Sequence, residues 1–261
     1  MEQHSVQQSQ SRDQLKEYFK NGKIPTEIHY AQLINSMVHK TEDGFSKDRE
    51  NGLRVYNQKA YKNLLSFYAD INEIDPYYQI AKDDSDPSCL KFQPSGKITE
   101  EEREERSIYF DVEGGLGIGK KPGENYKLEV AGFAGIEGRI GTFVSDRKPA
   151  DGKWHTIIAG LDNCNAFEIV ARAGKKGTGK FSMMHAIAVS AYGRSGGKIR
   201  KVSSCFGFFW NKLNLRWRGT THNYELQIRT NTNYGSNAYA YYTVTKLWDD
   251  QLFLSDNDVY K

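Results

Sequence analysis

Apolar positions follow three rhythms along the chain. Near the start they recur at helical spacing. Leu15, Tyr18 and Phe19 fall on one side of a segment from Arg12 to Phe19, which Asn21-Gly22-Lys23 ends. Ile24-Pro25-Thr26 restarts the chain with Thr26 as an N-cap. Tyr30, Leu33, Ile34, Met37 and Val38 then keep i, i+3, i+4 spacing from Glu27 to near His39 and predict a second helix. Two helices this short bury too little area to be stable alone, which favours a docking anchor over a hairpin packed on itself.

Two-residue alternation then takes over. Gly52–Tyr56, Leu64–Ala69, Tyr77–Ala81 and Ser107–Val112 predict strands, and Glu100–Arg106 (EEEREER) predicts a solvated loop or turn of helix. Gly115-Leu116-Gly117-Ile118-Gly119 leads through Pro122 to Tyr126-Lys127-Leu128-Glu129-Val130. Tyr126, Leu128 and Val130 share one strand face, with Lys127 and Glu129 on the other. Glycine at this density leaves little side chain for a private core and lets backbones approach closely. Such a strand needs neighbours, and copies of itself are the simplest. Glycine recurs at every third residue from Gly132 to Gly141, among Phe133, Ile136, Ile140 and Phe143. That reads as a continued packed shaft rather than a plain linker.

The third rhythm is denser alternation between Gly- and Asn-rich turns. Trp154–Ala159, Ala166–Ala173, Phe181–Tyr192, Ile199–Phe209, Leu213–Arg218, Tyr224–Thr230 and Tyr239–Leu247 predict seven strands of an antiparallel sandwich or jelly roll. The chain thus divides into an N-terminal helical region (1–45), a small β-rich region (46–106), a glycine-rich shaft (107–143), a head (144–250) and a tail (251–261).

In this order the segments resemble tail-fibre proteins of phages and of phage-tail-like contractile injection systems. The helical opening resembles L-K-x-x-F-x-x-G-x-x-P-T-x-x-x-F-x-x-L-I-x-S, met here by Leu15, Phe19, Gly22, Pro25, Thr26, Leu33, Ile34 and Ser36, with Tyr30 in place of Phe. Residues 114–132 resemble a G-x-G-I-G…P-x-x-K-L-x-V-x-G shaft repeat. It occurs once, with Lys120-Lys121 where small residues are usual. The resemblance implies a mainly β protein that is a homotrimer: a small N-terminal helical region, a trimeric interleaved β shaft, and an antiparallel, jelly-roll-like β-sandwich head that faces a receptor. It implies attachment to a baseplate or other particle protein through Tyr30, Leu33, Ile34 and Met37, and a shaft packed through Leu116, Ile118, Tyr126, Leu128, Val130, Ile136 and Ile140.

Composition sharpens this picture. Hydrophobic residues are 38%, with 16 Tyr and 24 Gly, favouring turn-rich β structure over a helical bundle. The net charge of +3 is unevenly spread. Residues 1–142 hold 19 basic and 24 acidic side chains, while residues 143–250 hold 16 and 7. Such a switch argues for modules with different surfaces. The start is polar and no apolar run approaches a membrane span of about 18 residues. The expectation is a protein made in the cytoplasm without a signal peptide, with no membrane insertion, and released by lysis as part of an extracellular or virion-like particle. Three cysteines, an odd number without metal-ligand spacing, argue against a disulfide framework.

Catalytic, metal and cofactor chemistry find no foothold. Gly174–Lys180 matches a phosphate loop, but Phe181 stands where the magnesium-holding Ser or Thr belongs, and a strand follows instead of a helix. His155, His185 and His222 are scattered. Nothing around Cys164 resembles an activated nucleophile, and Asp249-Asp250 beside Trp248 reads as a strand end. Seven acidic residues in 143–250 leave a hydrolase little to work with. The basic bias is the remaining signal: Arg172, Lys175, Lys176, Lys180, Arg194, Lys198 and Arg200, with Trp210 and Trp217, are candidate contacts to a receptor or cell-surface glycan. No nucleic-acid recognition motif accompanies them, and contacts to the acidic half of neighbouring chains are the alternative. The expected function is a non-enzymatic tail-fibre-like component. A structural spike cover or cap without receptor binding, and a free carbohydrate-binding module, are the other readings.

Overall fold

The computed structural model describes residues 10–40, 42–57, 61–83, 89–193 and 196–254. The chain is mainly β and divides into two compact units, 1–134 and 135–261.

The first unit opens with α1 (Arg12–Tyr18), where Ser11 and Gln14 form a reciprocal capping box, and α2 (Glu27–Asn35). Tyr18 stacks on His29 at 4.0 Å and Phe19 meets Tyr30 edge-on, so the helices touch through aromatics. α2 ends earlier than its apolar spacing suggests, and Met37 and Val38 lie beyond it. β1 (Phe45–Asp48) and β2 (Gly52–Val55) form a hairpin, its turn held by Asn51 on Asp48.

A six-stranded sheet follows. Its strands are β3 (Asn63–Phe67), β4 (Tyr78–Lys82), β5 (Cys89–Pro94), β6 (Ile108–Asp111), β7 (Leu116–Ile118) and β8 (Leu128–Val130), in sequence order. All pairs are antiparallel except β7–β8, which is parallel. The EEEREER run is α3 (Glu100–Glu105), capped by Thr99, with three glutamates in the first turn where the helix dipole favours them. The sheet passes through residue 107 without a break. The strands assigned to an interleaved shaft take their hydrogen-bond partners from the same chain. Residues 131–143 carry no regular element.

The second unit is a sandwich of two antiparallel sheets. β9 (Val144–Pro149), β10 (His155–Leu161), β11 (Cys164–Gly174), β12 (Phe181–Ala191), β13 (Lys198–Phe206), β14 (Leu213–Gly219), β15 (Tyr224–Thr230) and β16 (Tyr239–Asp249) are arranged as β13-β12-β11-β16-β9 and β10-β15-β14. α4 (Asp250–Phe253) follows. The nested pairs β9/β16 and β10/β15 suit a jelly roll. β11, β12 and β13 depart from one, because they run as a meander within a single sheet instead of crossing between sheets.

The inner face of the five-stranded sheet mixes small Ala171, Ala173, Ala186, Ala188 and Ala240 with bulky Phe167, Ile169, Met184, Tyr242 and Val244, while the three-stranded sheet contributes Leu213, Trp217, Tyr224, Leu226 and Ile228. The alanines let the bulky side chains of the facing sheet enter, and each fully buried Leu or Ile contributes about 1.5–3 kcal/mol. Chain entry to the sandwich needs a glycine: a Cβ on Gly141 would sit 2.3 Å from Thr245 Oγ1 and 2.4 Å from the Val244 carbonyl carbon. Asp249 and Asp250 close β16 as a strand end, the Asp250 carboxylate accepting from the Cys164 amide at 2.9 Å and from the Trp248 indole.

Candidate assembly face and sandwich loops

The six-stranded sheet is apolar on the wrong side for a lone chain. Register aligns Leu65, Ile80, Phe92, Ile108, Ile118 and Val130 in one row across all six strands, and Leu90, Phe110, Leu116 and Leu128 in the next. None of these ten side chains is buried, and Leu128 is 60% exposed. The opposite side carries Ala81, Lys91, Gln93, Ser107 and Tyr109, which are buried. There the Lys91 ammonium lies 3.8 Å from Glu100 of α3 and over the Tyr109 ring. Burial, then the Glu104 and Asp83 charges, push the Tyr109 phenol up to about 12. Uncovered apolar areas this continuous mark interaction surfaces.

The glycine motif explains how the two sides are built. Leu116 and Ile118 point to the apolar side. Gly115 and Gly117 point to the other, where the chain from Lys120 to Tyr126 tucks against them. A Cβ at Gly117 would lie 2.1 Å from the Lys120 carbonyl oxygen and 2.8 Å from Pro122 Cδ. The close approach that glycine permits is therefore to the chain's own loop, not to another copy. Gly119 sits at φ +73°, which favours glycine.

Of the expected shaft residues, Leu116, Ile118, Leu128 and Val130 meet on the apolar side. Tyr126 lies just before β8 and is exposed. Ile136 and Ile140 are exposed on the segment without regular structure, as is Phe133. In the helical pair, Tyr30, Ile34 and Met37 are exposed and Leu33 is half-buried; Leu15 alone is buried there.

The sandwich separates the candidate basic residues. Its strands run between two ends, and the chain enters at one of them, at Val144. The loops 150–154, 175–180, 207–212 and 231–238 gather at the other. Lys175, Lys176, Lys180 and Trp210 belong to that second end. Lys175 and Lys180 donate to the Ser236 and Asn233 carbonyls at 2.9 and 2.8 Å and tie the β11–β12 turn to the 231–238 loop. Trp210 packs among Phe208 and Phe209, an aromatic knot exposed on the β13–β14 loop.

The remaining candidates do not join this group. Arg172 lies on the outer side of the five-stranded sheet, lining a shallow depression with Arg147 and Tyr241. Lys198 and Arg200 stand on β13, an edge strand, where charge also guards against unwanted strand pairing. Arg194 lies outside the described residues. Trp217 is corrected outright: at 6% exposure it is a core residue between Phe167 and Tyr224, so it meets no ligand.

One constellation is not evident from the sequence. Trp154, just before β10, holds the guanidinium of Arg216 at 4.2 Å and that of Arg229 at 4.5 Å from its ring centroid. The three residues are far apart in sequence. Alternation in L-N-L-R-W-R and Y-E-L-Q-I-R-T places both arginines on the face away from the core, and that is the available signal.

Among the described residues, no helix is long and apolar enough to cross a membrane. Compared with known proteins, the chain matches no protein-family model and no curated protein.

Proposed function

We propose that the chain is a non-enzymatic, fibre-like component of a phage tail or contractile injection particle, assembled as a homotrimer. The N-terminal helices attach it to a baseplate or other particle protein, and the sandwich meets a cell surface. The observation that carries this reading is the sheet whose polar side is buried and whose ten-residue apolar side is open. Copies packed through that side would cover it, joined by Phe133, Ile136 and Ile140. The number three comes from the resemblance of the helical opening and the glycine motif. Packing is face to face in this reading, because the open apolar surface is a face of the sheet and β6 and β7 are already paired on both edges within their chain.

The surface-binding part of the proposal is supported by the sandwich's two ends. Lysines and exposed aromatics collect on the loops opposite the end where the chain enters. Native mass spectrometry of the full chain tests the assembly. Three copies are expected, and a stable monomer at micromolar concentration sinks it. Attachment of the full chain to candidate target cells separates a receptor-binding head from a structural cover. Binding lost in a Lys176→Glu, Phe209→Ser double variant supports the head; intact particle assembly with no cell attachment favours the cover.

A further inference from the structure

The outer face of β10-β15-β14 is polar, cationic and internally organised. Thr156, Gln227 and Arg216 stand side by side across the three strands, with Arg218 opposite Glu225 and Arg229 opposite Asn214. Thr156 Oγ1 donates to Glu225 at 2.8 Å, Gln227 Nε2 donates to Glu225 at 2.6 Å, and Arg216 Nε donates to Gln227 Oε1 at 2.7 Å. Glu225 is thus held by neutral donors. Among the described residues, no carboxylate lies within ion-pair distance of Arg218 or Arg229. Arg229 Nε is buried and has no hydrogen-bond partner. Three arginines and one carboxylate share the face.

Trp154 gives this excess charge a shape. A guanidinium stacked on an indole is held flat, and its terminal N–H groups then suit bidentate recognition of a carboxylate or phosphate. Two such groups sit on one indole. Beside them Gln227, Thr156 and Glu225 offer donors and acceptors of the kind that sugar hydroxyls use. The face has no exposed apolar side chain to enter a lipid layer. Its one aromatic ring is engaged with arginines instead of offering an open platform for a base.

We propose that this face binds an acidic polysaccharide, whose carboxylate or phosphate groups dock on Arg216 and Arg229 while its hydroxyls meet Gln227 and Thr156. The proposal rests on reading the sandwich as a surface-binding head, and it names the ligand class and the residues.

The test uses the full chain with three probes: an oligogalacturonate, a phosphorylated mannan fragment and neutral dextran. Calorimetry is expected to detect one or both acidic probes and not dextran. The stronger acidic probe identifies the anionic group. Binding should weaken as salt rises from about 0.01 to about 1 M, where the screening length falls from about 30 to about 3 Å. Arg229→Gln should weaken binding about tenfold or more, and Arg229→Lys should fail to restore it, since a point charge lacks the planar fork. Tryptophan fluorescence melting establishes that each variant is folded. The proposal is overturned if neither acidic probe outbinds dextran, or if folded Arg216→Gln and Arg229→Gln variants bind as the wild type does. The two levels separate cleanly. Cell attachment that survives Arg216→Gln and Arg229→Gln keeps the head reading and removes this site. Acidic-probe binding without attachment to any cell keeps the site and removes the head reading.

Discussion

Glu168 shows how single side chains fasten the start of the second unit. It stands on the outer side of β11 and takes Arg139 from the preceding segment and His185 from β12, the latter at 2.9 Å. The His185 hydrogen bond, with the Arg139 charge, holds the Glu168 carboxyl below its ordinary 4.5 despite some desolvation. A carboxyl with a lowered folded pKa contributes stability that is complete above its unfolded value and lost as pH falls through its folded value. Below about pH 4.5 the wild type should therefore lose stability more steeply than Glu168→Gln. Denaturation midpoints followed by fluorescence report this unit alone, because all four tryptophans lie in it. Tyr224 permits a second test. It is 1% exposed, its hydroxyl donates to the Asn163 carbonyl and it accepts from Asn165, both at 2.7 Å. Burial raises its pKa. Tyr224→Phe should cost about 1 kcal/mol, read as a lower urea midpoint with an unchanged slope. Both contacts join strands distant in sequence, so no local pattern announces them.

At the level of elements, the strands with inward-outward alternation are legible in the sequence and the exceptions have physical causes. β11, β12 and β15 alternate cleanly because one face meets the core and the other faces outward. β9 (V-S-D-R-K-P) escapes pattern reading because it is an edge strand, where charges and proline replace an apolar stripe. The β7–β8 parallel pair is hidden for a different reason. Parallel neighbours usually need a crossover of about a dozen residues or more, and only residues 119–127 join these two. The glycines make so short a return feasible, so their spacing encodes a tuck within the chain, which a reading based on copies alone could not see. Gly117→Ala should break it. With a backbone oxygen 2.1 Å from the new Cβ, the loop must move and the parallel pairing with it. Hydrogen exchange should show loss of protection at the Leu116 and Ala131 amides, which donate to Lys127 and Ile118, while β14 and β15 stay protected.

For the whole molecule, the question is whether the open apolar sheet and the glycine-spaced run after it cooperate in assembly. They can be tested separately, because each offers a position that a lone chain leaves untouched. Leu128 is more than half exposed, so Leu128→Asp removes little from the single chain but places a carboxylate in the proposed interface. Desolvating that charge without a partner costs several kcal/mol, enough to dissociate a trimer at micromolar concentration. Val130 is a poorer choice, since it is half-buried and its loss would also disturb its own sheet. At Gly138 a Cβ would have nothing within 4 Å and the backbone has no positive φ, so a valine there meets open space in one chain. Native mass spectrometry and melting of Leu128→Asp and Gly138→Val then divide the possibilities. Monomer from Leu128→Asp, with Gly138→Val still trimeric, places assembly in the sheet alone. Dissociation by both, with fluorescence melting unchanged, makes 131–143 part of the same packed shaft. If both variants keep the wild-type mass, the apolar side faces something other than copies of this chain and the fibre reading falls.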